Sequence, residues 1–222
     1  RLTWYHYLTF AIIAVILMGL TQARLDVLAI LLVIPVFCLA KRAANERPFS
    51  RVIASFYWMV APVLAYVTMV AALFYSVNNH LFNLADKAVS GRLHLSHLAW
   101  DRYGGSLLGN RVTEHGFGAG AGAKMFYESG MEGNYFYIDS SFIRLLIIYG
   151  LVAVVFFVGI MLVIGLRSTL QKDYRLAAVM LMLAISCTIE QHLLNLAFDP
   201  FLIALLAGAD AVSQQQNSIA EV

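Results

Sequence analysis

Charged side chains are scarce in this 222-residue chain, where they make up 13% of the residues against 61% that are hydrophobic. A typical soluble domain is about a quarter charged and about half apolar. The imbalance excludes a disordered chain and a water-soluble enzyme, and it indicates a protein whose solvent is lipid. The net charge of +2 is too small for a protein whose main partner is nucleic acid.

Cysteine is also rare. Cys38 and Cys187 lie in apolar runs and lack the spacing of a redox or zinc motif, which predicts two buried small hydrophobes. No cleavable signal-peptide pattern precedes the first apolar run. Because the sequence opens on Arg1 and not on methionine, we expect a fragment or a processed form of a longer protein.

Long apolar runs are what the chain has in place of charge, at residues 4–20, 25–40, 52–77, 142–166 and 176–209. About 20 helical residues cross a hydrocarbon core of about 30 Å, so each run predicts a spanning helix. The last run is long enough for two, and Asp199 and Pro200 interrupt it. We therefore predict an all-α, polytopic transmembrane bundle with three spans in 1–77, two or three in 139–212, and a polar tail at 213–222.

Basic residues between the spans predict the orientation. The linkers at 41–51 and 167–175 are rich in lysine and arginine, which is typical of loops on the cytoplasmic side. Residues 78–138 then form one large loop outside the plasma membrane, in which five basic and five acidic side chains cancel. Loops of this length are uncommon and usually functional or disordered, and the many aromatic residues of this one favour ordered structure.

Two patterns in the external loop are weak. The glycine-rich stretch at 116–122 fits no nucleotide-binding frame, so it predicts a flexible or close-packed loop, with backbone amides near an anion as the alternative. A short helix at the membrane surface would bring His94, His97 and Asp101 to one face, where they could bind zinc with His115 or act as a base. A solvated polar face is the favoured interpretation, so we predict neither a metal nor a cofactor.

Two charges lie inside the predicted spans, where ionisable residues are costly and usually functional. Arg144 is about 8 Å below the external end of its span, and Glu190 is about 21 Å above the cytoplasmic end of its own. Both therefore reach the outer leaflet, where an ion pair between them would offset much of the cost of burial. A purely structural ion pair is the competing interpretation.

Further polar residues extend from this depth to the outer surface. Asp139 and Asn195 are substrate-binding candidates, and His192 is a catalytic candidate beside Glu190. Such a cavity suits a substrate with an anionic head and a lipid tail, because arginine binds phosphate at two points and a buried carboxylate suits a general base. A water-filled transport path for polar solutes would use similar residues.

Three segments, spread over about residues 85–210, resemble a known family when they are taken in order. They are Ser90-Gly-Arg-Leu93 followed by Leu108-Gly109, the segment DSSFIRLLIIYG at 139–150, and Glu190 followed by Asn195. The order is similar to the C-terminal half of the bacterial O-antigen and exopolysaccharide polymerases (Wzy-type), within the O-antigen ligase superfamily.

The resemblance implies a glycosyltransferase with a GT-C-like fold. Members join undecaprenyl-pyrophosphate-linked oligosaccharide repeat units on the outer face of the plasma membrane, alongside a flippase and a chain-length regulator. It implies that Arg92 and Arg144 bind the donor pyrophosphate and that Glu190 orients or deprotonates the acceptor hydroxyl. A ligase of the same superfamily and a membrane transporter are the alternatives, and the whole enzyme would have more spans than this chain.

Overall fold

The protein is helical in the part of the chain that its computed structural model describes, which is residues 8–9, 12–13, 16, 24–89, 91–114, 136–191 and 193. No extended β-strand occurs within these ranges. Most of the predicted first span at 4–20 lies outside the described residues. So do Asp199, Pro200 and the predicted polar tail at 213–222.

The first half of the described chain holds α1 (Arg24–Ala44), α2 (Pro48–Ala54), a 3₁₀ turn (Tyr57–Met59), α3 (Val60–Leu73), α4 (His80–Ala88) and α5 (Arg92–Tyr103). The second half holds α6 (Ser141–Arg144), a π-helical turn (Leu145–Tyr149), α7 (Leu151–Leu170) and α8 (Tyr174–Ile189). The helices predicted over 25–40 and around the loop histidines are thereby confirmed as α1 and α5.

Two segments are long and apolar enough to cross a membrane. Pro48–Leu73 has 26 residues and a mean hydropathy of 1.8, and Leu151–Leu170 has 20 residues and a mean hydropathy of 2.5. The most apolar stretch of each is 22% buried, so large side chains such as Val67 and Phe156 face outward. The core helix of a soluble protein would be mostly buried, whereas an outward apolar surface is what lipid covers.

One of the two prolines of Pro48–Leu73 lies inside the segment, near the start of α3. Pro62 is the third residue of α3, where its missing amide costs little since the first turn of a helix has no internal acceptor for that amide. A 3₁₀ turn precedes α3 and separates it from α2. Pro62 therefore lies at a helix start, where the missing amide donor is tolerated.

The predicted span at 142–166 is not one continuous helix. Gly150 has a φ of 90° and separates the π-helical turn from α7. The loop after α5 fills the gap, since Leu151 N–H donates to Ser106 O at 2.9 Å and Asn110 N–H donates to Ile147 O at 2.8 Å. Backbone groups left unpaired by the break thus find partners in the loop, which a pattern of hydropathy cannot reveal.

Helix α8 is the centre of the bundle and packs against α1, α3 and α7. Its buried face is rich in small residues, including Ala177, Ala178 and Ala184, which lets neighbouring backbones approach closely. Cys187 is 2% exposed, as predicted for a structural thiol, while Cys38 is partly buried. The helix ends at Ile189, so Glu190 is the residue that follows it and adopts an extended conformation.

Candidate functional site

Five charged side chains from distant parts of the sequence lie close together, and we call them the arginine–carboxylate cluster. They are Arg92, Glu114, Asp139, Arg144 and Glu190. Their side chains are 16% to 27% exposed, so the cluster is largely but not fully withdrawn from solvent. It lies where α5, the start of α6 and the end of α8 meet.

Arg92, the first residue of α5, joins that helix to the end of α8. Its Nη1 donates to Glu190 Oε1 at 2.5 Å and to the carbonyl of Ile189 at 3.0 Å. Its Nε lies 3.5 Å from Asp139 Oδ2. A cation at a helix C-terminus is favourable because the last carbonyls lack helical partners and carry partial negative charge. Arg92 thus neutralises two carboxylates and caps a helix.

Arg144 makes a two-point ion pair with Glu114. Its Nη1 lies 2.7 Å from Glu114 Oε1, and its Nη2 lies 2.6 Å from Glu114 Oε2. The guanidinium also sits over the ring of Tyr137, 5.2 Å from its centroid. Because Ile138 N–H donates to Glu114 Oε1 at 3.1 Å, the same carboxylate fixes both the arginine and the segment of chain before α6.

The ion pair predicted between Arg144 and Glu190 is replaced by these two separate pairs. The physical reason is the role of Ser141, whose Oγ–H and N–H both donate to the backbone carbonyl of Glu190, at 2.5 Å and 3.2 Å. The carbonyl of Glu190 therefore faces α6. Its carboxylate reaches Arg92 on the other side.

Asp139 is the residue that couples the two ion pairs electrostatically. Burial raises the pKa of its carboxyl above the ordinary value of 3.8, Arg92 lowers it, and the nearby carboxylates of Glu190 and Glu114 raise it. The cluster holds three carboxyl groups against two guanidinium groups. A proton on Asp139 would balance these charges, so this carboxyl is the natural proton-accepting group of the cluster.

Four members of the cluster were predictable from the sequence, whereas Glu114 was not. Glu114 is one of the ten charges that cancel in the loop, and no role was predicted for it. The one signal was indirect, since a guanidinium at membrane depth requires a carboxylate partner. Two further predicted site residues, His192 and Asn195, lie outside the described residues, as do Ser90 and the glycine-rich stretch at 116–122.

The predicted histidine face is a packing contact in this structure. His97 Nδ1 lies 2.8 Å from the carbonyl of Ala72, and its Nε2 lies 3.4 Å from Asp101 Oδ2. The rings of His94 and His97 pack against Tyr75. Within the described ranges no three metal-ligating side chains form a group, and His115 lies outside them.

The space beside the two arginines differs. A cavity of about 170 Å³ adjoins Arg92, and its walls come from α3, α4, α5 and the end of α8. Most of its lining is apolar, with Val67, Ala71 and Leu93 among its residues. A cavity of only about 10 Å³ adjoins Arg144, which is at most the space that one water molecule needs. The larger and mostly apolar cavity therefore adjoins Arg92.

The combined arrangement can bind an anion, exchange a carboxylate for it and accept a proton. This chemistry follows from the side chains alone and does not depend on membership of a protein family. No protein-family model, no curated protein and no solved structure matches the chain.

Proposed function

We propose that the protein is a membrane glycosyltransferase of the polysaccharide-polymerase kind. It joins oligosaccharide repeat units carried on a polyprenyl pyrophosphate, as multi-pass machinery of the plasma membrane with its site facing outward. The observation that carries the proposal is the convergence of Arg92 and Arg144 with three carboxyl groups, next to two membrane-length apolar helices.

The proposed donor has a charged pyrophosphate at one end and an apolar prenyl chain at the other, and each end has a matching feature in the site. Arg92 supplies a charged group at the rim of an apolar cavity, which suits a pyrophosphate attached to a prenyl chain. Both arginines are already paired, so the pyrophosphate replaces carboxylates when it binds. At Arg144 it takes over the two-point geometry that Glu114 occupies in its absence.

The proposed reaction forms one bond and breaks another at the donor sugar. The acceptor hydroxyl oxygen attacks the anomeric carbon, and the bond from that carbon to the pyrophosphate oxygen breaks. The departing electron pair stays on the pyrophosphate, whose charge the guanidinium groups stabilise. The hydroxyl proton passes to a carboxylate, and Asp139 and Glu190 are the candidates because both contact Arg92. Burial raises the pKa of the Asp139 carboxyl, which favours proton uptake there.

The proposal is tested by deletion of the gene followed by complementation. A polymerase defect leaves single lipid-linked repeat units. A defect in a ligase of the same superfamily would instead accumulate long lipid-linked polymer, and loss of a transporter would leave the glycan unchanged. Either of these two results overturns the proposal.

Complementation with variants then locates the site. Arg92→Ala and Arg144→Ala should each lower long-chain polymer at least tenfold when the polymer is normalised to the membrane level of the variant. The matched control is Arg175→Ala, which removes an exposed arginine of the basic linker and should complement fully. Normal polymer from both site variants would contradict the assignment.

A further inference from the structure

Helix α4 presents three different faces. At about 100° per residue, the side chains divide into three groups that lie roughly 120° apart. One face is apolar and exposed, with Leu81 and Leu84 at 73% and 61% exposure and Ala85 and Ala88 beside them. The second face carries Phe82, Asp86 and Val89, and the third carries His80, Asn83 and Lys87.

The second face holds α4 on the protein and fixes its rotation. The ring of Phe82 packs 5.9 Å from that of Tyr75, and Asp86 Oδ1 accepts a hydrogen bond of 2.8 Å from His94 N–H at the start of α5. Asn79 caps the helix by accepting from Leu81 N–H at 2.9 Å. The two leucines are therefore held outward by contacts on the other faces.

The exposed face of α4 continues an apolar surface that starts on α3. Tyr66 and Val67 are 66% and 53% exposed on that helix, and Phe74 and Val77 in the following turn are 65% and 60% exposed. Val67 and Ala85 line the same cavity, so the two surfaces adjoin. The segment that contains α3 is long and apolar enough to span a membrane, which makes lipid the neighbour of this surface.

We propose that α4 is an interfacial helix whose Leu81 and Leu84 insert into the lipid at the outer end of α3. An amphipathic helix with an apolar face and a basic residue on its polar side lies flat between head groups and acyl chains. Lys87 is exposed on the polar face, from which it can reach lipid phosphates. The inference concerns how the loop meets the membrane, and it holds whether or not the protein transfers sugars.

The test measures the depth of three single positions on α4. Leu81→Cys, Leu84→Cys and the matched control Lys87→Cys are made in a Cys38→Ser background, spin-labelled and reconstituted in phosphatidylcholine–phosphatidylglycerol vesicles. Power saturation compares molecular oxygen, which concentrates in lipid, with a nickel chelate, which stays in water. Labels at positions 81 and 84 should be several-fold more accessible to oxygen than to nickel, and the label at 87 should show the reverse.

Two results would overturn the proposal. Nickel access at all three positions would mean that α4 lies in water. Immobile labels at 81 and 84 that neither reagent reaches would mean that a second copy or another protein covers them. If a cysteine variant does not fold, Leu84→Trp in the same vesicles provides a second measurement. Lipids brominated near the head group should then quench the added fluorescence at least twofold more than lipids brominated at the chain end.

Discussion

The two arginines of the cluster have the same charge and similar exposure, yet they differ in how they are held. Arg144 gives both nitrogens of its fork to one carboxylate, Glu114, and adjoins almost no free space. Arg92 divides its contacts between Glu190 and Asp139 and borders a cavity of about 170 Å³. A two-point pair fixes geometry, while a shared arginine beside free space can exchange a partner.

The cluster has two sides with different roles. The Arg144 side is the pair with Glu114, and the Arg92 side is Arg92 with Asp139 and Glu190. The Arg144 side joins the loop that carries Glu114 to α6 through one two-point contact. The Arg92 side has one carboxyl group in excess, and the pKa of that group, Asp139, is raised by burial. We therefore expect substitutions on the Arg144 side to cost more stability than those on the Arg92 side, while substitutions on either side lower polymer synthesis.

The largest expected effect comes from disrupting the backbone contact between the loop and Gly150, in the segment that follows Arg144. Gly150→Ala forces a side chain onto a residue with φ of 90°, where the new Cβ would collide with the backbone of Leu107 and Gly109. We expect a loss of more than about 3 kcal/mol in the free energy of unfolding, measured in detergent.

The matched control for this glycine is Gly159→Ala. Gly159 lies within α7, and a methyl group added to it would have no neighbouring atom within 4 Å, so this change should be neutral or slightly stabilising. Equal losses from Gly150→Ala and Gly159→Ala would contradict the role given to the loop contact at Gly150.

The next largest effect is the difference in stability between variants of the two arginines. Arg144→Ala leaves the carboxylate of Glu114 with no cation, at 16% exposure, and we expect a loss of about 2–3 kcal/mol in stability. Arg92→Ala should cost about 1 kcal/mol, because Asp139 can take up a proton and reduce the uncompensated charge. Thermal unfolding in detergent measures both.

A double variant separates structure from function on the Arg144 side. Adding Glu114→Ala to Arg144→Ala removes the unpaired carboxylate, so much of the lost stability should return while polymer synthesis stays absent. If the double variant regains polymer, Arg144 has only a structural role. If it regains no stability, the ion pair with Glu114 is not what stabilises this side.

The smallest effect is a dependence on pH that belongs to the Arg92 side. Since burial raises the pKa of Asp139 above 3.8, folding favours its protonated form. The stabilising contribution is complete below about pH 3.8 and is lost as the pH rises through the pKa of the folded state. Asp139→Asn has no such transition. Relative to this variant, the wild-type melting temperature should fall as the pH increases from 4, and a constant difference would contradict the raised pKa.

Parts of the cluster were predictable because they rest on local rules. Arg144 was identified since a charge in an apolar run is costly, and Arg92 and Asp139 were identified by resemblance or by their nearness to it. Glu114 was not identified because an acid in a balanced loop has no local signature. Its partner lies 30 residues away along the chain, and only folding brings the two together.

Helix ends show the same limit. The apolar run beginning at 176 predicted a helix that would carry Glu190 inside the membrane, but α8 ends at Ile189. Ser141 stabilises this helix end, because its hydroxyl and its amide both donate hydrogen bonds to the carbonyl of Glu190, whose backbone is extended. A hydropathy pattern records how apolar a segment is, and it does not record which distant donor ends the helix.

The sequence by itself determined that the protein is helical and apolar on its outer surface, since composition and run length are local quantities. It also identified the charged residues within apolar runs, whose burial is costly and therefore indicates a role. Only the tertiary structure decided which carboxylate each arginine meets, which arginine borders a cavity, and which face of α4 stays uncovered. These depend on the relative position of elements far apart in the chain, and that position is set by packing and by backbone hydrogen bonds between the loop and the bundle.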